Sequence, residues 1–235
     1  MGKAFVSGGA IMTAPSAGTP ISDVAVGSAL KLNVNGVAKE FLVVHQGNPD
    51  SSLYDSSCDG VWLLMKDLFD QSYFNNPYDI CYEGSDLDAF LNDTFYNALD
   101  IGIRSLIKTV KVPYITGELR LCSGANGHST KVFALSDDEV GLVTSSQISC
   151  SPYADGARLN YFIGATTATR VAYYNGEAEW WWLRTPCGDS EDYLAHCITA
   201  TGGYSDAQTV NLNYTRPAFI LPDTVLVAKD GTIKI

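Results

Sequence analysis

Six cysteines, three histidines and several close groups of carboxylates are the residues here whose chemistry could build a reactive or metal-binding centre. The cysteines are Cys58, Cys81, Cys122, Cys150, Cys187 and Cys197, with no C-x-x-C pair and no histidine at zinc-ligand spacing, so no metal and no cofactor is expected. They read as small buried apolar residues or isolated thiols, with Cys187 and Cys197 the nearest pair because both fall in one loop-and-strand unit. His45 closes an apolar strand without a cysteine, serine or carboxylate motif beside it, and is expected to be structural. Ser136, Asp137, Asp138 and Glu139 have the spacing of a capping box, which makes their carboxylates capping groups before acid/base groups. Arg184 and Arg216 are expected to fork onto carbonyls or carboxylates that hold loop ends.

A different chemistry runs from Cys187, Gly188, Asp189, Ser190, Glu191, Asp192 and Tyr193 to Thr201, Gly202, Gly203, Tyr204, Ser205, Asp206, Ala207 and Gln208. Small, polar and aromatic residues mixed in loops make an adaptable recognition surface when buried strands pin their ends. The pins are Trp180, Trp181 and Trp182 on one side and Arg216, Pro217, Ala218 and Phe219 on the other. Consecutive tryptophans carry more apolar area than a loop can leave wet, so alternate rings should be buried on the two faces of a central strand.

Other elements must support that frame. Residues 1–26 are rich in Gly, Ala, Ser, Thr and Pro and read as a flexible N-terminal attachment arm, leaving 27–235 as one ligand-binding domain. Leu30 to Val34, Asn35-Gly36 and Val37 to His45 form a hairpin signal, and Val61 to Lys66 another strand. Ser85 opens an amphipathic helix with Leu87, Phe90, Leu91, Phe95 and Leu99 on one face. A second short helix leads into a strand ending at Pro113. Lys131 to Leu135 reads as a strand, the Ser136 box as the start of a short helix, and 156–163 as a helical piece presenting Leu159, Phe162 and Ile163 to the core. Tyr193 to Thr199 and Gln208 to Leu212 look like strands joined through Gly202 and Gly203. Arg216 to Leu221 and Val225 to Ile235 complete the sheet.

Composition narrows the classes of function. Apolar residues make up 46% and charged residues 17% of 235 residues, which predicts a packed chain. A formal charge of −11 with no basic cluster argues against a nucleic-acid partner. Neither a membrane span nor a signal peptide is visible.

The ordered set S-D-L-D-A-F-L-N-D-T-F-Y (85–96), V-F-A-L-S-D-D-E-V-G (132–141), L-N-Y-F (159–162), W-W-W-L-R-T-P (180–186) and R-P-A-F (216–219) resembles a bacterial and phage family of formylglycine-generating-enzyme-type C-type-lectin-like domains. The match covers about residues 27 to 228; Thr185 replaces the usual serine, and Tyr214 and Thr215 stand where glycine and an apolar residue are common. The resemblance implies an α+β, mixed-sheet lectin-like fold with short helices, whose segment between the tryptophan strand and R-P-A-F is an exposed binding face. In relatives that are targets of diversity-generating retroelements this segment varies; others are phage receptor-binding proteins. Carried over, the ligand-binding candidates are Asp189, Ser190, Asp192, Tyr193, His196, Tyr204, Asp206, Gln208, Asn211 and Asn213. Strand parity agrees, turning Val210 and Leu212 inward and Asn211 and Asn213 outward. Tyr173 and Tyr174 form a second aromatic loop upstream.

The expectation is therefore a non-catalytic receptor-recognition protein for a protein or glycan receptor on a bacterial surface. It would sit in a virion, at a phage tail, or on a cell surface, joined through the N-terminal arm, and a tail location would favour a homotrimer. An oxidase using Cys187 and Cys197 and a ligand-free virion module are the alternatives. The G-G-S-W and R-x-G-F-R type signatures of the enzymes are missing, as are the calcium-dependent sugar motifs of true C-type lectins; Asn48, Pro49 and Asp50 do not replace them.

Overall fold

The sharpest local instruction in the chain is Asn35-Gly36. Both residues adopt left-handed backbone (φ 51° and 74°), the conformation a two-residue hairpin turn requires, and they join strands Ala29–Val34 and Val37–Gln46 in the register Val34 to Val37. The computed structural model describes residues 18–142, 154–188 and 193–234, an α+β fold of two five-stranded sheets with short helices. In the first sheet the strands run in the order Val132–Phe133, Ala218–Leu221, Val61–Met65, Val37–Gln46 and Ala29–Val34. The second runs Tyr204–Gln208, Leu194–Ile198, Trp181–Cys187, Asn213–Tyr214 and Gln71–Ser72.

Val61 to Met65 and Ala218 to Leu221 are buried along their whole lengths because both faces of the first sheet are covered. Phe41, Val43, Leu63 and Phe219 pack on one side against Leu87, Leu91 and Phe95; Leu42, Val44, Trp62, Leu64 and Phe133 pack on the other. The helix that supplies the first set starts at Ser85, whose side chain accepts from the Asp88 amide, and runs over Asp86–Phe90 before a single wider π turn at Leu91–Phe95.

Trp181–Cys187 is the middle strand of the second sheet, and its two tryptophans point opposite ways. Trp182 enters the core with Phe41 and Phe95, whereas Trp181 joins Trp62 and Phe133. Each indole N–H is satisfied, Trp182 by the Ser72 carbonyl at 2.9 Å and Trp181 by the Arg170 carbonyl at 3.1 Å. Trp180 precedes the strand and is 38% exposed, so only two of the three rings are pins.

Several expected elements change. Gly18 onward belongs to the body: Thr19–Pro20 pairs with Leu226–Val227, and Ile21 is fully buried with its amide on the Val225 carbonyl. The arm's residues 1–17 lie outside the described residues. The Ser136 box closes a single turn and no helix follows, because Gly141 leaves it with φ 74°. In 156–163 only Asn160–Phe162 is helical, and Ile163 is exposed while Leu159 and Phe162 are buried. The last strand of the hairpin is Tyr204–Gln208, not 208–212, since the two glycines turn the chain as soon as Leu194–Ile198 ends.

Candidate functional site

The second sheet's edge hairpin carries most of the described candidates. Leu194–Ile198 and Tyr204–Gln208 pair in the register Leu194 to Gln208, His196 to Asp206 and Ile198 to Tyr204. Side chains of Tyr204, Asp206 and Gln208 therefore share one face, and Ala207 turns back to the core. Asp206 and Gln208 are exposed and Tyr204 is half-buried. Tyr193 enters the hairpin with φ 50° and is 45% exposed; its ring lies 5.6 Å from that of Tyr78, 51% exposed. Tyr78 carries no motif, although its setting among Asn75, Asn76 and Pro77 has the same polar-aromatic composition as the segment singled out above. Asp189, Ser190, Glu191 and Asp192 lie outside the described residues.

His196 reverses its expected position. It alternates correctly along the strand, but its face is roofed by the Leu135 to Val140 turn and by Tyr204, so it is fully buried. Its Nδ1 meets the Asp137 carboxylate, and the Tyr204 ring stands edge-on to it at 4.9 Å. Beyond Gln208 parity fails as well: Thr209 is buried, Leu212 is exposed and Asn213 is half-buried, because Thr209 binds the Tyr193 carbonyl and Asn211 bonds back to Gln208 in a turn. Asn211 remains exposed.

The turn that covers His196 carries a buried polar network. Arg184 is fully buried, and each of its N–H groups finds an acceptor: the carbonyls of Pro113 (2.9 Å), Ala134 (3.0 Å) and Asp155 (2.8 Å), and both oxygens of Glu139 (2.6 and 2.8 Å). Burial disfavours its charge, but Glu139 more than offsets this and holds the guanidinium above its ordinary pKa. Glu139 also accepts from the Tyr54 hydroxyl at 2.7 Å and, at its other oxygen, from the Ser136 amide at 2.9 Å. Thr185 accepts from the Asp137 amide and donates to Asp155. Burial raises Asp155 well above the usual carboxylate range, and burial together with Asp137 pushes Asp138 up to about 6. Arg216 is held differently: carbonyls of Met65 (3.0 Å) and Lys66 (3.1 Å) take its donors and the Trp181 ring lies 5.0 Å away, while burial pushes it down to about 10.

The two cysteines singled out above, Cys187 and Cys197, do not form a pair. Cys187 is disulfide-bonded and Cys197 carries a free buried thiol, so the two are not joined; their positions face Leu194 and Trp182, several residues apart along the ladder. The Cys197 thiol is pushed up to about 12 by burial and then by Asp206 and Asp137. Among the described residues no group of three or more His, Cys, Asp or Glu side chains could hold a metal ion. No helix of the described residues is long and apolar enough to cross a membrane.

Tyr173 and Tyr174 do not join the hairpin. They sit across the middle strand, where Tyr174 stacks on Tyr214 at 4.5 Å between centroids and donates to Asp70 at 2.9 Å.

Compared with known proteins, residues 59–223 match the family model described as Domain of unknown function (DUF6273), more than half of the chain. No curated protein and no solved structure matches it.

Proposed function

The chain belongs to the DUF6273 family, and on that premise we propose that it is a non-catalytic recognition protein that binds its receptor through the edge hairpin of the second sheet. The observation that carries this reading is the exposed Tyr193–Tyr78 pair at the start of the hairpin that also exposes Asp206 and Gln208, on strands tied to the Arg184–Glu139 turn through His196 and Asp137. Rigid aromatic rings supply contact area at little entropic cost, and neighbouring amides and carboxylates supply hydrogen bonds. Residues of this kind can change without disturbing the buried pairs.

On this reading the scaffold is a C-type-lectin-like domain of the formylglycine-generating-enzyme type, and the hairpin is the segment that differs between diversified relatives. The five ordered motifs support that scaffold, since W-W-W-L-R-T-P and V-F-A-L-S-D-D-E-V-G supply the two ends of the Arg184–Glu139 pair. A phage tail or a bacterial surface is the setting such a face would serve, and a surface protein or glycan the receptor.

The test uses labelled full-length protein on a printed glycan array and on cell-envelope preparations from a panel of bacteria. The combined variant Tyr193→Ala, Gln208→Ala should lose binding about tenfold or more, a change of roughly 1.4 kcal/mol, with an unchanged melting temperature. Binding equal to the parent in the combined variant would remove the hairpin from the interface. Turnover of a cysteine-containing peptide under oxygen would replace recognition by catalysis.

A further inference from the structure

On the far side of the middle strand, a cleft of about 350 Å³ opens between the first sheet and the Tyr173 loop. Its floor is Leu68, whose amide binds the Tyr173 carbonyl at 2.8 Å. One wall is the tight turn Tyr174-Asn175-Gly176-Glu177, with Asn175 and Gly176 at φ 51° and 91°. This wall is fixed from behind by the Tyr174 ring on Tyr214 and its hydroxyl on Asp70. Lys39 and Asp67 line the opposite side, both exposed, and no ion pair is formed by either among the described residues. Tyr173, 47% exposed, presents its ring at the rim.

We propose that this cleft is a saccharide site, taking one pyranose ring of a glycan between Tyr173, Asp67, Lys39 and Asn175. The lining selects by exclusion. An apolar ligand would draw nothing from the ammonium, carboxylate, amide and tyrosine hydroxyl that line the cleft, and would displace part of their water without replacing it. A polyanion meets one lysine against carboxylates at Asp67 and Asp70. A divalent cation finds one lining carboxylate and a competing lysine. A neutral polyol with an apolar C–H face satisfies every group: the carboxylate accepts from adjacent hydroxyls, the ammonium donates, the amide does both, and the ring covers the C–H face. The volume is at the small end of ligand pockets, which span about 300–1,000 Å³, so it suits a single sugar ring. This site stands apart from the edge hairpin and does not rest on the reading given for it.

Saturation-transfer NMR on the full chain tests it, with the methyl glycosides of glucose, galactose, mannose and N-acetylglucosamine as probes at millimolar concentration. At least one glycoside should show saturable transfer, weakened about tenfold by Tyr173→Ala. Asp67→Asn and Lys39→Gln should each weaken it about threefold or more, which is roughly 0.7 kcal/mol, and Tyr193→Ala should leave it unchanged. All four positions are exposed; the Asp67 carboxylate acts on the buried Arg216 guanidinium, so Lys39→Gln tests the cleft independently should Asp67→Asn disturb folding. No transfer from any of the four glycosides overturns the proposal. So does transfer that Tyr193→Ala abolishes and the three cleft variants keep, which would place the sugar on the hairpin instead.

Discussion

Thr185 shows how much one hydroxyl settles at the residue scale. It accepts from the Asp137 amide at 3.1 Å and donates to the Asp155 carboxylate at 3.0 Å, so both of its roles are used inside the protein. Thr185→Val keeps the shape but orphans a buried amide and a buried carboxyl; it should cost about 1–3 kcal/mol in urea denaturation, while Thr185→Ser should cost less than about 1 kcal/mol. Glu139→Gln should cost more, about 3–5 kcal/mol, because it leaves Arg184 charged and buried without its partner. Asp138 gives a pH signature. Its folded pKa, near 6, lies above the unfolded value of 3.8, so between those limits the folded state holds a proton that the unfolded chain has released. This group therefore makes the fold less stable as pH rises through that window, and Asp155 acts in the same direction. Asp138→Asn should flatten the fall in stability across the window; an unaltered slope would show that the carboxyl is already ionised in the folded protein.

At the scale of elements, turns divide into those that need glycine for backbone angle and those that also need it for space. Gly36 has φ 74° with nothing within 4 Å of an added Cβ, so Gly36→Ala should cost only the conformational penalty, about 1 kcal/mol. Gly202 has φ 76°, its added Cβ would fall 1.8 Å from the Thr167 carbonyl oxygen, and its own carbonyl accepts from Arg170. Gly202→Ala should therefore cost several times more than Gly36→Ala, and equal midpoints in urea would contradict the packing described around that turn. Here the sequence showed the type of each element better than its end. Asn35-Gly36 and Ser85 were readable because their chemistry acts on neighbouring backbone. The Ser136 box announced a start but not a length, and Gly141 at φ 74° ends it after one turn; the exposure of Ile163 depends on how the piece packs, so the apolar pattern alone extended that element too far.

Over the whole molecule, the two sheets share their cores through adjacent tryptophans. Trp182 belongs to the second sheet yet packs with Phe74 at 5.7 Å and joins the cluster of Phe41 and Phe219, while Trp181 joins Trp62 of the first sheet. The two sheets should therefore unfold together, with tryptophan fluorescence and far-ultraviolet circular dichroism giving one coincident urea transition. Trp182→Ala should lower stability by about 3–5 kcal/mol without splitting that transition. Two resolved steps would mean that the sheets are separate folding units.

The sequence by itself determined the pins of the frame: the buried tryptophans, the hairpin turn, the helix start at Ser85, and arginines held by carbonyls and a carboxylate. Each follows from a side chain whose burial or turn chemistry has one economical solution wherever the rest of the chain goes. Only the tertiary structure decided which surface is free. His196 alternates along its strand as an outward residue should, but a turn about sixty residues earlier in the chain closes over it and joins it to Asp137. Tyr78 becomes Tyr193's neighbour, and the Tyr173 loop, read as a second aromatic loop, is set across the middle strand over Leu68, through contacts between distant segments. Alternation along a strand says which residues share a face; what covers that face is set by long-range packing.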